Sequence, residues 1–267
     1  MRIRDKVFVV TGGGNGIGRD VVLELLVRGA RVAAVDLRSE GLDGTRVLAP
    51  AAGDRLTTHT VDVSDRNAVE ALVAEVTAAH GHVDGIANVA GIIQHFVPFT
   101  ELSYDEMAKV MDVNYWGVVH MCRAFLPALM KRPEASVLNV SSMGGLAPVP
   151  GQAVYGASKA AVKLLTEGLY AELRTTNVAV TLVFPGAVRT GIAENSGASI
   201  PGRDTDAQAA KITSSAAAAL RIANAIEKGT FRLCIGRDAT MIDLLSRMMP
   251  RRTIELVAKR MASLVEH

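Results

Sequence analysis

Tyr155 and Lys159 stand four residues apart in a segment, Gln152 to Leu173, whose apolar spacing predicts a helix. An i, i+4 pair shares one helical face, so the phenol and the ammonium meet over the same spot. A neighbouring cation favours phenolate over phenol, and this spacing therefore predicts a Tyr155 pKa below its ordinary value near ~10. Such a tyrosine can give and take a proton near neutral pH. Upstream, Ser142 follows the apolar run Ala135 to Val140, where a buried strand should end, and its hydroxyl can hold the oxygen whose proton Tyr155 moves. On an ordinary amphipathic helix the same Tyr and Lys would simply face solvent, so the rest of the chain must decide.

The elements that would position these groups begin at the N-terminus. Val7 to Val10 is a short apolar run without alternation, as expected of a strand buried on both faces. Thr11-Gly-Gly-Gly-Asn-Gly-Ile-Gly18 follows, then a helical pattern from Arg19 to Arg28 and a second strand, Arg31 to Val35, closed by Asp36. This is a βαβ unit with a glycine-rich first turn. Gly12, Gly16 and Gly18 permit a tight turn, close approach to a pyrophosphate and close helix packing, and anions are drawn to the helix N-terminus. Asp36 suits the adenosine ribose hydroxyls and repels a 2′-phosphate. With no Arg or Lys inside the loop and Arg38 the nearest cation, NAD is expected in preference to NADP.

Further strands are expected at Leu56 to Val61, Val83 to Ala87, Val178 to Phe184 and Phe231 to Ile235. Asp62 and Val63 leave the third and are candidates for the adenine, although Asp62 or Ser64 equally suits as cap of a helix from Asp65 to His80. Asn88-Val-Ala-Gly91 leaves the fourth, where small residues let a cofactor lie close to the backbone. A long helix is expected from Ser103 to Met130 with Asn114 midway, binding backbone or a water that leads to Lys159. Residues 190 to 210 lose periodicity and read as a substrate lid, after which Ala207 to Lys228 returns as helix.

The 267-residue chain, 49% hydrophobic, suits one α/β domain. A net charge of +2 without a basic block argues against a nucleic-acid partner. Cys122 and Cys234 are isolated and read as free thiols, no metal-ligand cluster is apparent, no apolar run approaches membrane-spanning length, and the opening residues run directly into a strand, leaving no room for a signal peptide. A cytoplasmic protein is expected. The tail, about 238 to 267, differs: Met241, Ile242, Leu245, Met248 and Met249 form one apolar stripe and Ile254, Val257, Met261, Leu264 and Val265 another. Such helices pack on the core, on another subunit or on a membrane surface, and packing within the protein or oligomer is favoured.

These motifs together resemble the short-chain dehydrogenase/reductase family, from Lys6 to Ile235, through Thr11 to Gly18, Asp36, Asp62-Val63, Asn88-x-Ala-Gly91, Asn114, Ser142, Tyr155-x-x-x-Lys159 and Pro185-Gly186 with Thr190. Val89 departs from the pattern, which more often has a second Asn there. The resemblance implies a doubly wound Rossmann fold, with a seven-stranded parallel sheet in the order 3-2-1-4-5-6-7. It also implies a tetrad of Asn114, Ser142, Tyr155 and Lys159, in which Lys159 lowers the Tyr155 pKa and bonds the nicotinamide ribose while Asn114 holds a proton-relay water. Cofactor contacts are expected at Gly12, Asn15, Gly16, Ile17, Asp36, Asp62, Val63, Asn88, Ala90, Gly91, Tyr155, Lys159, Pro185, Gly186, Val188 and Thr190, and a homodimer or homotetramer through the helices carrying Asn114 and Tyr155.

Ile92, Ile93, Phe96, Val97, Phe99, Met143, Leu146, Val149 and Ile192 are the candidate substrate wall, with Gln152 and His95 as polar exceptions and Ser142 at its floor. Apolar lining suits a hydrophobic secondary alcohol or its ketone. The rival expectation is a catalytically silent dinucleotide-binding regulator or scaffold, which loss of Tyr155 or Lys159 would have favoured. A methyltransferase would share the glycine turn but has no use for the Ser142, Tyr155 and Lys159 set.

Overall fold

The computed structural model describes residues 1–198 and 212–262. Strands β1 (Val7–Thr11), β2 (Arg31–Asp36), β3 (Leu56–Thr60), β4 (Gly85–Asn88), β5 (Ala135–Val140), β6 (Val178–Pro185) and β9 (Arg232–Ile235) form one parallel sheet in the order β3-β2-β1-β4-β5-β6-β9. The order is the expected one. Its last strand is ninth in the chain because two-residue strands β7 (Val188–Arg189) and β8 (Thr213–Ser214) pair with each other beforehand.

Alternate side chains of β1 explain why its sequence shows no alternation. Phe8 and Val10 enter an apolar layer with Val21, Val22 and Leu25 of helix α1 (Gly16–Val27). Val7 and Val9 enter the opposite layer with Leu72 and Val76 of α3 (Arg66–His80) and Phe125 of α5 (Gly117–Leu129). Both faces are covered, so both must be apolar. Each fully buried side chain of this size contributes about 1.5–3 kcal/mol. Helix α2 (Ser39–Leu48) lies beyond β2.

The helix expected from Ser103 to Met130 is interrupted. It runs as α4 (Tyr104–Met111), a wide π turn (Asp112–Trp116) and then α5. The wide turn carries Asn114, and Gly117 just after it passes so close to Val63 that an added Cβ would sit 2.8 Å from its Cγ2. Helix α6 (Ala153–Leu173) carries Tyr155 and Lys159. Neither Asp62 nor Ser64 caps α3. Asp65 does, accepting from the backbone of Asn67 and Ala68, while Asp62 accepts from Ser64.

Beyond β6, α7 spans Ile192–Ser196, and most of the expected lid, 199 to 210, lies outside the described residues. Helix α8 starts at Ser215, where the Ser214 hydroxyl accepts from Ala217, and ends at Lys228. The part of the expected helix from 207 to 211 is outside the described residues. Two tail helices follow, α9 (Arg237–Met248) and α10 (Pro250–Arg260). Their expected stripes divide: Ile242 is buried, whereas Met241, Met248, Met249 and Ile254 are exposed, because adjacent helical positions point about 100° apart. Leu264 and Val265 lie outside the described residues. Among the described residues no helix is long and apolar enough to cross a membrane.

Candidate active site

The glycine loop is held by close backbone packing. Gly12 has φ +70° and Gly16 φ +53°, left-handed values that favour glycine. A Cβ at Gly18 would collide with the Gly12 carbonyl. Asn15 caps α1 by accepting from Gly16, so the N-terminus of that helix opens into the cleft. Asp36 accepts from the backbone of Gly14 (2.9 Å) and of Arg38 (3.1 Å), which fixes its carboxylate at the rim with oxygen lone pairs to spare. Arg19 donates to the carbonyls of Gly14 and Gly41 and to Thr45, whose hydroxyl donates to Gly13. Those contacts clamp the loop to α2. Neither Arg19 nor Thr45 was marked by motif.

At the end of β4, the Thr11 hydroxyl accepts from the backbone of Val89 (3.0 Å) and Ala90 (3.1 Å), holding the turn at which Val89 replaces the more usual Asn. Asn88 does not reach the cleft. Its amide is buried behind the sheet edge, where it donates to Asn139 at 2.8 Å beside Cys122. Asn114 is also buried: its Oδ1 accepts from the Ile92 amide, and its Nδ2 donates to the Ile92 carbonyl and to Ser158. A Cβ at Gly91 would sit 2.9 Å from Lys159 Nζ and 3.1 Å from Asn114 Oδ1, so both groups pack against the bare backbone of this glycine.

Ser142 sits just past β5, with Oγ accepting from Gly144 at 3.0 Å. The Tyr155 ring and the Ser142 hydroxyl lie side by side, 3.3 Å and 3.5 Å from where a Cβ at Gly144 would sit, and Lys159 Nζ donates to the Val140 carbonyl at 3.2 Å. The expected lowering of the Tyr155 pKa is not what this pocket gives. Burial pushes the phenol up, opposed by the neighbouring Ser142 hydroxyl, and Lys159 makes no part of the shift. Burial also lowers Lys159, to about 8. Desolvation disfavours the charged form of each group and is the leading cause for both.

These groups line one cleft of about 640 Å³. Of the expected cofactor contacts, Gly12, Asn15, Gly16, Ile17, Asp36, Asp62, Val63, Ala90, Gly91, Tyr155, Lys159, Pro185, Gly186, Val188 and Thr190 all face it. The volume, the helix N-terminus beside Gly16 and the carboxylate at Asp36 together fit a dinucleotide. The expected substrate wall is split. Ile92, Ile93, His95 and Ile192 line the cleft. Phe96 packs against the small cluster of Ile93, Ala193 and Ala198, as Tyr155 and Ile192 do. Val97, Phe99 and Val149 instead line a separate pocket of about 250 Å³ walled by Ile254 and Ala258 of α10. Met143, Leu146 and Gln152 are not among the cleft-lining residues. Gln152 is turned inward, donating to the Gln94 carbonyl at 2.7 Å.

Two further groups bind the loops around the mouth. Asp238 of α9 accepts from the Ala187 amide at 2.7 Å, and a Cβ at Gly186 would land on its carboxylate. His95 has an acceptor at each ring nitrogen, Glu106 at 2.8 Å and the Gly197 carbonyl at 2.9 Å, and Glu106 raises its pKa. Ile93 donates to Ser196. Asp238 lies outside the span of recognised motifs, so no sequence signal marked it.

The family model for short chain dehydrogenases matches residues 6–200. The chain belongs to the short-chain dehydrogenase/reductase family and is an oxidoreductase. It is 36% identical to SadH of Mycobacterium tuberculosis, which carries the name of an oxidoreductase, over 96% of this chain and 95% of that one. Among solved structures it resembles a short-chain dehydrogenase/reductase from Burkholderia phymatum in complex with NAD (29% identity, TM-score 0.83, 96% of each chain). It also resembles a short-chain dehydrogenase from Burkholderia cenocepacia in complex with NADP (27% identity, TM-score 0.80, 96% of this chain and 99% of that one).

Proposed function

We propose that the protein is an NAD-dependent alcohol dehydrogenase/carbonyl reductase that interconverts a hydrophobic secondary alcohol and its ketone, with Tyr155 as general acid and base. The observation that carries this reading is that Ser142, Tyr155 and Lys159 line the same cleft as the glycine loop and Asp36. When bound, the nicotinamide supplies the hydride chemistry. Ser142 holds the substrate oxygen. Tyr155, kept as a neutral phenol by burial, gives its proton to that oxygen in ketone reduction and takes it back in alcohol oxidation. Lys159 holds the nicotinamide ribose and, as an ammonium below about pH 8, offsets charge that develops on Tyr155. We assign the relay water to Asn114, whose side-chain oxygen and Lys159 Nζ both lie against the Gly91 backbone.

Asp36 supports NAD over NADP, because both its oxygens are held at the ribose position by backbone N–H groups and a 2′-phosphate would meet that charge. The apolar walls Ile92, Ile93 and Ile192 support a hydrophobic substrate. Exposed Trp116 beside the Asn114 turn and exposed Leu164 on α6 support a homodimer or homotetramer through those helices, and the free thiols Cys122 and Cys234 support a cytoplasmic location. The test is absorbance at 340 nm with NAD and a panel of hydrophobic secondary alcohols. Wild type should turn over and Tyr155→Phe should not. Equal rates in the two would overturn the assignment.

A further inference from the structure

Helix α6 begins without a cap of its own. Gln152 precedes it with φ −126° and ψ 35° and makes no capping bond. A helix leaves its first N–H groups without partners, and burying them unpaired costs free energy. The first turn of this helix contains Tyr155, so whatever satisfies those groups also sets where the phenol stands.

The partner comes from a different part of the chain. Gln94, in the loop after β4, is 1% exposed. Its Oε1 accepts from the amides of Val154 (3.0 Å) and Tyr155 (2.9 Å), and its Nε2 donates to the Gly151 carbonyl (2.9 Å). Gln152 returns the contact, donating from Nε2 to the Gln94 carbonyl. Two buried amides therefore exchange bonds across the junction, each with the other segment's backbone.

The residues flanking Gln94 reach the remaining parts of the site. Ile92 is held through both its backbone groups by Asn114, Ile93 donates to Ser196 of α7, and His95 bridges Glu106 of α4 and the Gly197 carbonyl. The loop 92–95 is thus a hub whose only hold on the first turn of α6 among the described side-chain bonds is the Gln94 and Gln152 pair.

We infer that Gln94 is a positioning residue for Tyr155: it caps the helix that carries the phenol and ties that helix to the loop forming the substrate wall. This rests on the proposed role of Tyr155 as acid and base. A displacement of about 1 Å at a reacting group costs up to roughly 100-fold in rate, which sets the scale of the effect.

Gln94→Leu removes the cap and the bond to Gly151, leaving of the tie only the Gln152 bond to the backbone carbonyl of residue 94. Gln94→Glu keeps an acceptor for the two amides and loses the donor to Gly151. Val76→Ala, in the core under α3, supplies a destabilised control far from the cleft. The measurements are kcat and KM for the best alcohol, NADH affinity by fluorescence titration, melting temperature, and amide hydrogen exchange over residues 150–160. Gln94→Leu should lower kcat by about 10- to 100-fold, leave NADH affinity within about threefold, and speed exchange at 153–156. Gln94→Glu should recover part of both kcat and protection, and Val76→Ala should change melting temperature alone. The inference is overturned if exchange speeds in Gln94→Leu while kcat stays within about twofold, or if Val76→Ala with an equal loss of melting temperature loses as much kcat. It is also overturned if exchange at 153–156 is unchanged. Wild-type turnover that survives Tyr155→Phe would instead overturn the acid–base reading itself, while exchange would still report whether the cap exists.

Discussion

The two sides of the cleft are built in different ways. On the side of β1, β2 and α2, the Arg19 and Thr45 clamps act on a backbone already packed too closely for side chains: a Cβ at Gly14 would sit 2.8 Å from Asp36, and one at Gly18 would strike the carbonyl of Gly12. On the side of the 92–95 loop, α7 and the start of α6, position is set by polar side chains that reach across long stretches of sequence, Gln94 to Tyr155, His95 to Gly197 and Asp238 to Ala187. Packed backbone leaves one arrangement and no adjustment. Hydrogen-bonded loops can be released one bond at a time, as a site that must admit and discharge a substrate requires.

The sharpest way to break this contrast is Gly18→Ala, which should abolish NADH binding or folding outright, read by fluorescence titration and circular dichroism. Retained binding would mean that the glycine side is as adjustable as the other. Tyr155→Phe should lower kcat by about 10²- to 10⁴-fold with NADH affinity little changed, measured at 340 nm. Asp36→Ala should reduce the preference for NAD over NADP by about tenfold or more, comparing KM for the two cofactors, since a hydrogen-bonded charge contributes roughly 1.5–3 kcal/mol. Equal use of both cofactors by wild type would remove the assigned role of Asp36.

The pH dependence of ketone reduction refines the comparison. Lys159 carries its charge below a pKa of about 8, so the rate should hold through neutrality and fall as pH rises through that value. The smallest effect belongs to the loop side. Only the imidazolium form of His95 can donate to both Glu106 and Gly197, and Glu106 raises its pKa. The contact to α7 is therefore strongest at low pH and weakens as pH rises through that raised value. KM for substrate should climb about two- to threefold over the same interval. In Glu106→Gln the climb should begin at lower pH.

This division also decides how much could be read in the sequence. The glycine side was legible because its constraints are local: Gly12 to Gly18 and Asp36 belong to one βαβ unit and carry the geometry in their spacing. Tyr155, Lys159 and Ser142 were legible for the same reason, standing on one helix and at one strand end. Their electrostatics were not, because burial is a property of the assembled fold, and it raises the Tyr155 pKa where the neighbouring cation suggested a fall. The substrate wall was only half legible. Ile92, Ile93 and Ile192 face the cleft, but Val97, Phe99 and Val149 turn to a second pocket under α10, and apolar composition cannot tell one cavity from another. Gln94 has no local signal, since its partners lie about sixty positions away.

The carboxylate of Asp238 has a consequence for anyone rebuilding this chain. It occupies the volume that a side chain at 186 would need, so the glycine of one region and the acid of another form a matched pair. Grafting a foreign C-terminus onto the first 235 residues would leave the Ala187 amide without its acceptor, and truncation there would do the same. A tail cut before Asp238 would therefore free the segment of Pro185, Gly186 and Val188 that lines the cleft, whereas a cut further on would spare it.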